Sequence, residues 1–117
     1  MELLTINEVS NILRTNSSRI RYYEKHGLIQ NFYRDSNNHR LYTQRDIEIL
    51  KFILCLRTLN MPIKEIKNKI SAFYQNDLSK KDILIEHKKY LELKRNEYMN
   101  YIYEIDEKIK DSNQNDF

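Results

Sequence analysis

The chain has 117 residues, of which 40% are hydrophobic and 32% charged, with one glycine, one proline and one cysteine. This length holds one small domain and one long element, and the scarcity of glycine and proline predicts a mainly helical protein. Residues 1–20 lack the apolar core of a signal peptide, no segment has the length of a membrane span, and one cysteine forms no internal disulfide bond. We therefore expect a cytoplasmic protein with no membrane partner.

The net charge of +3 is unevenly distributed along the chain. Residues 1–70 contain 12 Lys and Arg against 7 Asp and Glu, a balance of +5. Residues 71–117 contain 8 against 10, a balance of −2. Because a basic segment favours phosphate binding, the first part of the chain is the candidate for contact with a polyanion.

Two short helices are predicted at the start of the chain. Thr5 and Glu8 have the spacing of a capping box, and Asn16 is a good N-cap for a second helix. That second helix continues through Lys25 and ends at Gly27, since glycine readily adopts a left-handed conformation. The apolar residues that recur on one face of the first helix are Ile6, Val9, Ile12 and Leu13.

A hairpin is predicted next. The aromatic segments 32–34 and 39–42 flank the polar residues 35–38, which is typical of two strands joined by a turn. Asn38 is the residue expected in a left-handed conformation.

Two further helices follow the hairpin. Thr43 and Asp46 form another capping box, and the helix they begin extends to about Leu59. Pro62 begins the fourth helix, because proline is well tolerated at a helix start. The residues predicted to be buried are Ile47, Leu50, Ile53, Leu54 and Leu56 in the third helix, and Ile63, Ile66 and Ile70 in the fourth.

A long helix over residues 79–110 is predicted after a connector at residues 71–78, and a polar tail occupies residues 111–117. Its apolar side chains follow a seven-residue repeat, which is typical of a coiled-coil seam. A helix of about 30 residues is about 45 Å long, too long for the small domain to cover, so we expect a homodimer. The alternative is a helix that folds back on its own domain. The seam residues are Leu84, Leu91, Tyr98, Ile102, Ile105 and Ile109.

Four segments resemble the MerR family of bacterial transcription regulators, namely Leu4-Thr5-Ile6, Ile20-Arg21-Tyr22-Tyr23-Glu24, His39-Arg40-Leu41-Tyr42 and Met61-Pro62-Ile63-Lys64-Glu65-Ile66. The resemblance implies that residues 2–70 form a winged helix-turn-helix DNA-binding domain and that the long helix forms an antiparallel coiled-coil dimer. It also implies that the dimer binds a pseudo-palindromic promoter spacer and bends and untwists it for RNA polymerase. Arg14, Asn38 and Asn60 stand where the family commonly has glycine.

The resemblance also implies which residues contact DNA. Arg19, near the start of the recognition helix, is assigned to guanine. Arg21 and Tyr22 are assigned to phosphates, Tyr23 to the core and Glu24 to an ion pair within the domain. The alternative is that Arg19, Arg21 and Tyr22 lie on a solvent-exposed helix face and contact no DNA. The predicted DNA contacts are Ser17, Ser18, Arg19, Arg21, Tyr22, Arg34, His39, Arg40, Tyr42 and Lys64.

Cys55 is the residue with potential redox chemistry, and it is expected to face the core because it lies in the apolar run 52–56. One interpretation is a small, inert core residue. The other follows from a resemblance to the thiol-dependent, AdhR- or NmlR-like branch of the family, and makes Cys55 a sensor of electrophiles. No catalytic pairing or glycine-rich phosphate loop is present, and the three histidines lack ligand spacing, so we expect no enzyme, metal or cofactor.

Two alternatives to a promoter-binding regulator remain. The first is an architectural or chromosome-segregation protein that uses the same winged domain to bind DNA without a promoter role. The second is a protein-interaction module, in which the long helix or residues 111–117 bind another protein.

Overall fold

A computed structural model gives the conformation of residues 2–30 and 33–112. The chain divides into two compact units, Met1–Leu78 and Ser79–Phe117. The first unit is mainly helical with a small sheet, and the second is one long helix. In chain order the elements are β1 (Leu4–Thr5), α1 (Ile6–Leu13), α2 (Ser17–Lys25), β2 (Tyr33–Arg34), β3 (Arg40–Tyr42), α3 (Gln44–Thr58), α4 (Ile63–Tyr74) and α5 (Lys80–Ser112).

The three strands form one antiparallel sheet in the order β1-β3-β2. Strands β2 and β3 are the predicted hairpin, in which Tyr33 lies opposite Leu41, while Phe32 lies outside the described residues. Strand β1 was not predicted, because two residues are too few to show the alternation of a strand. It pairs Leu4 with Tyr42 and Thr5 with Leu41, and this pairing places the start of α1 beside the hairpin.

The predicted helix starts are confirmed by side-chain hydrogen bonds. The hydroxyl of Thr5 accepts from the backbone N–H of Glu8 at 3.2 Å, and the Glu8 carboxylate accepts from the Thr5 N–H at 3.1 Å. Thr43 and Asp46 form the same reciprocal pair at the start of α3. The side chain of Asn16 caps α2. These bonds satisfy backbone donors that a helix start leaves without a partner.

The left-handed conformations that the sequence suggested are present, and Asn76, with φ of 61°, adds one that it did not suggest. Asn38 and Asn60 both have φ of 65°, Arg14 has φ of 53° and Gly27 has φ of 73°. Asparagine adopts this conformation more easily than most residues, so two of the positions where the family has glycine keep the same backbone shape.

The core of the first unit is formed mainly by α3, by the apolar faces of α1, α2 and α4, and by Tyr42 of β3. The predicted burial is not confirmed at three positions, because Ile12 is 57% exposed and both Leu54 and Ile63 are only half-buried. Helix α4 also continues to Tyr74, into the segment predicted to be a connector. The buried apolar residues include Val9, Ile20, Tyr23, Leu28, Tyr42, Ile47, Leu50, Ile53, Leu56, Met61, Ile66 and Ile70.

Helix α5 has 33 residues and begins with a third reciprocal cap, in which Ser79 and Asp82 bond to each other's backbone N–H. Ile83 and His87 are buried, whereas the predicted seam residues are between 38% and 60% exposed. The helix ends at Ser112, and residues 113–117 of the predicted tail lie outside the described residues. No helix within the described ranges is long and apolar enough to cross a membrane.

Candidate nucleic-acid interface

The first turn of α2 is displayed at the surface, as a recognition helix requires. Asn16 accepts a hydrogen bond from the backbone N–H of Arg19 at 2.8 Å, which fixes where the helix begins. Ser17 is half-buried and its hydroxyl donates to the side-chain oxygen of Asn7 on α1 at 3.4 Å. Ser18 and Arg19 are exposed, so two of the three residues that open the helix are available to a ligand.

Arg19 is held along the helix by the residue one turn later. Its Nε donates to the hydroxyl of Tyr23 at 2.9 Å, and the centre of the guanidinium lies 6.0 Å from the Tyr23 ring. Tyr23 is 2% exposed, which confirms its assignment to the core. Because a guanidinium carries five N–H donors, a single bond to Tyr23 orients Arg19 and uses one of them.

Arg21 and Tyr22 follow on the exposed part of α2. The Tyr22 side chain is 46% exposed, and its ring lies 4.3 Å from that of His26, one turn further along. This contact packs the tyrosine ring against the next turn while nearly half of the residue stays exposed. Both side chains are therefore accessible at the surface of α2, where the sequence predicts contacts with phosphates.

The turn of the hairpin is organised by Asp35. Its carboxylate accepts hydrogen bonds from the backbone N–H groups of Asn37 at 2.9 Å and His39 at 2.8 Å. The bond from the His39 backbone is the largest cause that lowers the pKa of Asp35 below its usual value. Arg34 donates to the carbonyl of Asn38 at 3.2 Å. The wing, which we define as β2, β3 and the turn between them, is thus held in shape by its own side chains.

The wing is joined to α2 through Glu24, whose side chain is only 5% exposed. Tyr42 of β3 donates its hydroxyl to one carboxylate oxygen, and the Nε of Arg40 lies 2.6 Å from the other. This arrangement confirms the prediction that Glu24 pairs with a basic residue of its own domain. Burial, and then the bond to Glu24, raise the pKa of Tyr42 well above that of a free tyrosine.

The prediction that Tyr42 contacts DNA is wrong for the structure described. Tyr42 is 0% exposed, because β3 lies between β1 and β2 and turns this side chain toward the core. A wholly buried ring has no surface to offer a ligand. Its structural role is to hold the wing against α2, and Arg40, with 43% of its side chain exposed, remains accessible beside it.

A basic groove of about 430 Å³ lies where the wing, α2 and the start of α1 meet. We call it the arginine groove, after Arg21, Arg34 and Arg40, and Asp35 is the acidic residue in its lining. Its contribution from α1 was missed by sequence reasoning, since only the pairing of β1 with β3 brings that helix start to the wing. The residues around it are Thr5, Ile6, Asn7, Arg21, Arg34, Asp35, Asn38, His39 and Arg40, together with the buried Tyr42.

The other predicted contacts lie outside this groove. Ser17, Ser18, Arg19 and Tyr22 are on α2 but do not line it. Lys64 is exposed in the first turn of α4. The structure therefore brings Arg21 of α2 together with Arg34 and Arg40 of the wing, and leaves the start of α2 and Lys64 outside the groove.

Cys55 is exposed, which contradicts the expectation that it faces the core. A helix turns by 100° per residue, so Cys55 shares the solvent face of α3 with Lys51 and Glu48, four and seven residues earlier. Because the residues on both sides of Cys55 are apolar, the sequence did not show that this face of α3 is exposed. Arg57 is directed elsewhere, because its guanidinium donates to the carbonyl of Met61 at 2.7 Å.

Within residues 2–30 and 33–112, no three His, Cys, Asp or Glu side chains are grouped so that they could hold a metal ion. The described site contains cations, hydroxyls and two structural carboxylates, those of Asp35 and Glu24.

Comparison with known proteins assigns the chain to a family. HmrR, an HTH-type transcriptional regulator of Sinorhizobium medicae, is 31% identical over 94 residues, which are 78% of this chain and 64% of HmrR. The chain therefore spans a little under two thirds of that relative's length.

Two solved structures are similar in fold. HiNmlR, a MerR family regulator lacking the sensor domain and bound to promoter DNA, has a TM-score of 0.65 at 22% identity, over 93% of this chain and 85% of HiNmlR. The transcription regulator PbrR691 from Ralstonia metallidurans, in complex with lead(II), has a TM-score of 0.70 at 21% identity, over 95% and 85%. The family model described as MerR HTH family regulatory protein matches residues 4–72. This chain belongs to the MerR HTH family of regulatory proteins.

Proposed function

We propose that this protein is a transcription regulator that binds double-stranded promoter DNA as a homodimer, with α2 in the major groove and the wing against the backbone. The observation that carries the proposal is the arginine groove, which joins the wing to α2 and to the start of α1. The similarity to HiNmlR, which is bound to promoter DNA, supports it.

The arginine groove is suited to the phosphate backbone. Arg21, Arg34 and Arg40 supply three cations around one concavity, and the start of α1 adds the partial positive charge of a helix N-terminus. Phosphate contacts supply much of the affinity for DNA and fix the orientation of the protein without reading the sequence. We therefore assign backbone positioning to the groove, with Lys64 on α4 as an additional phosphate contact.

The start of α2 is suited to reading bases. Ser17, Ser18 and Arg19 open the helix, and the first turns of a recognition helix are the part that meets base edges. An arginine forms bidentate bonds with the O6 and N7 atoms of guanine. Because the bond to Tyr23 already orients the Arg19 guanidinium, we assign base reading to this residue.

The homodimer is proposed to form through the seam of α5. The seam side chains, from Leu84 to Ile109, are exposed in the single chain, and burying them against a second copy removes them from water. A two-fold dimer binds a pseudo-palindromic site. In the proposed mechanism the dimer bends and untwists a promoter spacer, so that RNA polymerase can recognise both promoter elements.

The proposal is tested first by a base-resolution map of where the protein binds on its own genome. We expect a small number of inverted repeats within over-long promoter spacers. Many sites dispersed away from promoters would instead support the architectural alternative.

The assignment of roles is tested by fluorescence anisotropy on a mapped site and on scrambled DNA. Arg21→Ala should weaken binding to both DNAs by about tenfold and reduce the salt slope by about one. Arg19→Ala should mainly reduce the preference for the mapped site. Lys51→Ala removes an exposed cation outside the groove and should behave like the wild type. A loss of sequence preference in Arg21→Ala alone would contradict these roles.

A thiol-sensing function is a second candidate, and the exposure of Cys55 favours it, since an electrophile can reach the sulfur. The test is alkylation of the folded protein by a mild electrophile, followed by DNA binding and transcription. We expect alkylation to change the regulatory response and Cys55→Ser to abolish that change. A thiol that resists alkylation, together with an unaltered response in Cys55→Ser, would reject the sensor.

A further inference from the structure

A second cavity of the first unit has a volume of about 210 Å³ and is separate from the arginine groove. It lies where β2, the start of α3 and the end of α4 meet, and all of these elements belong to the first unit. We call it the Arg45 pocket. The described residues that line it are Gln30, Tyr33, Thr43, Arg45, Asp46 and Tyr74.

The cation of this pocket is held against two aromatic rings. The centre of the Arg45 guanidinium lies 5.6 Å from the centre of the Tyr74 ring and 6.0 Å from that of Phe73, and both rings belong to α4. Such contacts engage the face of the guanidinium. They leave the N–H donors in its plane for a ligand, and Arg45 is exposed, so a ligand can reach them.

A hydroxyl donor in the same pocket has no acceptor. The Tyr74 hydroxyl oxygen is buried and forms no hydrogen bond with the part of the chain that the structure describes. Burial is the main cause that raises the pKa of Tyr74, and the backbone N–H of Gln30 lowers that pKa without reaching hydrogen-bond geometry. A buried polar group without a partner is costly. An acceptor supplied by a ligand would remove this cost.

The charge that the pocket accepts is limited by Asp46. This residue is 6% exposed, and its carboxylate accepts a hydrogen bond from the backbone N–H of Thr43 at 2.9 Å, which commits it to the start of α3. Arg45 is the one cation among the described lining residues. It balances a single negative charge on a ligand, and a second negative charge would be repelled by Asp46. The pocket therefore suits a monoanion such as a carboxylate, and not a phosphate dianion.

We propose that the Arg45 pocket binds an aromatic carboxylate with a single ring, such as benzoate, and that this ligand changes the affinity of the protein for DNA. One carboxylate oxygen accepts from Arg45 and the other from the Tyr74 hydroxyl. The Tyr33 side chain, which is 38% exposed, offers a ring for the ligand to pack against. Since a cavity of about 150 Å³ holds one benzene molecule, this pocket has room for a ring with its carboxylate.

The pocket is joined to the wing at two points. Tyr33 lies on β2 opposite Leu41 of β3, and Thr43 directly follows β3. A ligand in contact with both would influence the position of the hairpin, which carries Arg34 and Arg40 of the arginine groove. This effect on DNA rests on the proposed function, whereas the ligand site itself does not.

The site is tested in the full-length protein with para-fluorobenzoate, whose binding is followed by fluorine NMR. We expect a Kd of about 0.1 to 1 mM, which is ordinary for so small a ligand. Arg45→Ala should raise the Kd by about tenfold or more, and Tyr74→Phe by about fivefold, because each removes a donor to the carboxylate. Lys51→Ala removes an exposed cation of the same helix outside the pocket and should bind like the wild type.

Thermal unfolding of Tyr74→Phe separates ligand binding from a structural role of the hydroxyl. Removing a buried hydroxyl without a partner should leave the Tm unchanged or raise it. A lower Tm would show that the hydroxyl has a partner in the protein, and would reject it as a donor to the ligand.

The chemical class of the ligand is tested by competition. Benzamide, the neutral analogue of benzoate, should bind about tenfold more weakly, because it lacks the charge that Arg45 attracts. Inorganic phosphate should not displace para-fluorobenzoate. Equal binding of benzamide, or displacement by phosphate, would contradict the carboxylate.

The effect on DNA is measured by fluorescence anisotropy at constant ionic strength, with benzoate at about ten times its Kd. We expect DNA affinity to change by about threefold or more in the wild type and in Lys51→Ala, and to stay constant in Arg45→Ala. A wild type that does not bind para-fluorobenzoate, or an Arg45→Ala protein that binds it equally well, would overturn the site whether or not the protein binds DNA. Unchanged DNA affinity in a protein that binds both ligands would reject the link to the wing. Binding of benzoate by a protein that does not bind DNA would instead reject the proposed function and leave the site intact.

Discussion

The two units of this protein differ in whether their side chains find partners within the same chain. In the first unit, polar groups such as Glu24 and Asp46 are buried and have partners close to them in sequence or across the sheet. In α5, apolar side chains such as Ile102 and Ile105 are more than half exposed. The first unit therefore pairs its polar groups within its own chain, whereas the long helix leaves apolar side chains exposed that the proposed dimer would cover.

The proposed DNA-binding dimer needs a correctly shaped arginine groove and a paired α5, and these two properties should depend on different regions of the chain. The shape of the arginine groove should depend on bonds within one chain, and its stability should not depend on protein concentration. Pairing of α5 should depend on concentration, because binding of a second copy follows mass action. Substitutions in the two regions should therefore produce different kinds of defect.

The largest effect is expected from Ile105→Glu, which places a charge in the apolar seam of α5. A charge placed in the seam is buried twice in a symmetric dimer, and an uncompensated buried charge costs about 3 kcal/mol or more. We expect the dimer to dissociate more than a hundred times more readily, by the usual conversion of about 1.4 kcal/mol per tenfold. Light scattering on a concentration series measures this change.

Asn100→Glu is the matched control, because this exposed residue lies on α5 away from the seam. It should remain dimeric at the concentrations where Ile105→Glu is monomeric. If both variants dimerise equally well, the exposed seam is not the dimer interface.

The next largest effect is expected from Glu24→Ala, which removes a buried polar partner within the first unit. Removing this carboxylate leaves the Tyr42 hydroxyl buried without its acceptor and Arg40 without its ion pair. Because Arg40 is partly exposed, we expect a loss of about 2 kcal/mol in the free energy of unfolding, rather than the larger cost of a wholly buried pair. Urea unfolding measures it, with the exposed Glu48→Ala as the control.

Glu24→Ala should also weaken DNA binding while leaving dimerisation unchanged. The wing would no longer be fixed to α2, so Arg21 and Arg40 would lose their common geometry. Normal DNA affinity in a destabilised Glu24→Ala protein would mean that the groove does not depend on this link.

Local signals in the sequence predicted the local parts of this structure. Thr5, Asn16 and Thr43 cap helices through residues three positions away, and Asn38 adopts its left-handed conformation within one turn. Such features depend on neighbours that the sequence places side by side. The family resemblance then supplied the recognition helix and the wing.

Features that depend on distant parts of the chain were harder to predict. Residues 4 and 5 form a strand only because they pair with β3. The same pairing buries Tyr42 and brings Asn7 to the arginine groove. Cys55 was assigned to the wrong face because its apolar neighbours gave no clear helical period. In each case the missing information was which face or edge another element would cover.

A smaller effect, dependent on pH, tests the link between Tyr42 and Glu24. Burial raises the pKa of Tyr42, whereas an unfolded tyrosine has a pKa of about 10. Above that pH the unfolded chain loses a proton that the folded chain retains, so stability falls as pH rises. The fall should approach about 1.4 kcal/mol per pH unit, the value for one proton.

Urea unfolding at about pH 8 and about pH 11 measures this dependence by comparison with Tyr42→Phe, which should show a smaller fall, because Tyr74, whose pKa is also raised by burial, remains. Tyr103→Phe, at a tyrosine that is 66% exposed, should retain it. Equal pH dependence in the wild type and Tyr42→Phe would show that this hydroxyl does not carry the effect.

The smallest effect is expected in the turn of the wing, where Asn38 has φ of 65°. Alanine in this conformation costs about 1 kcal/mol more than asparagine or glycine, so Asn38→Ala should destabilise the protein by about that amount and Asn38→Gly by only a few tenths. Asn37→Ala, in the same turn, is the matched control. The difference between Asn38→Ala and the wild type should be the same at each protein concentration, because the strain lies within one chain. A difference that changes with concentration would show that the wing and the dimer are coupled, and that the two units do not satisfy their requirements separately.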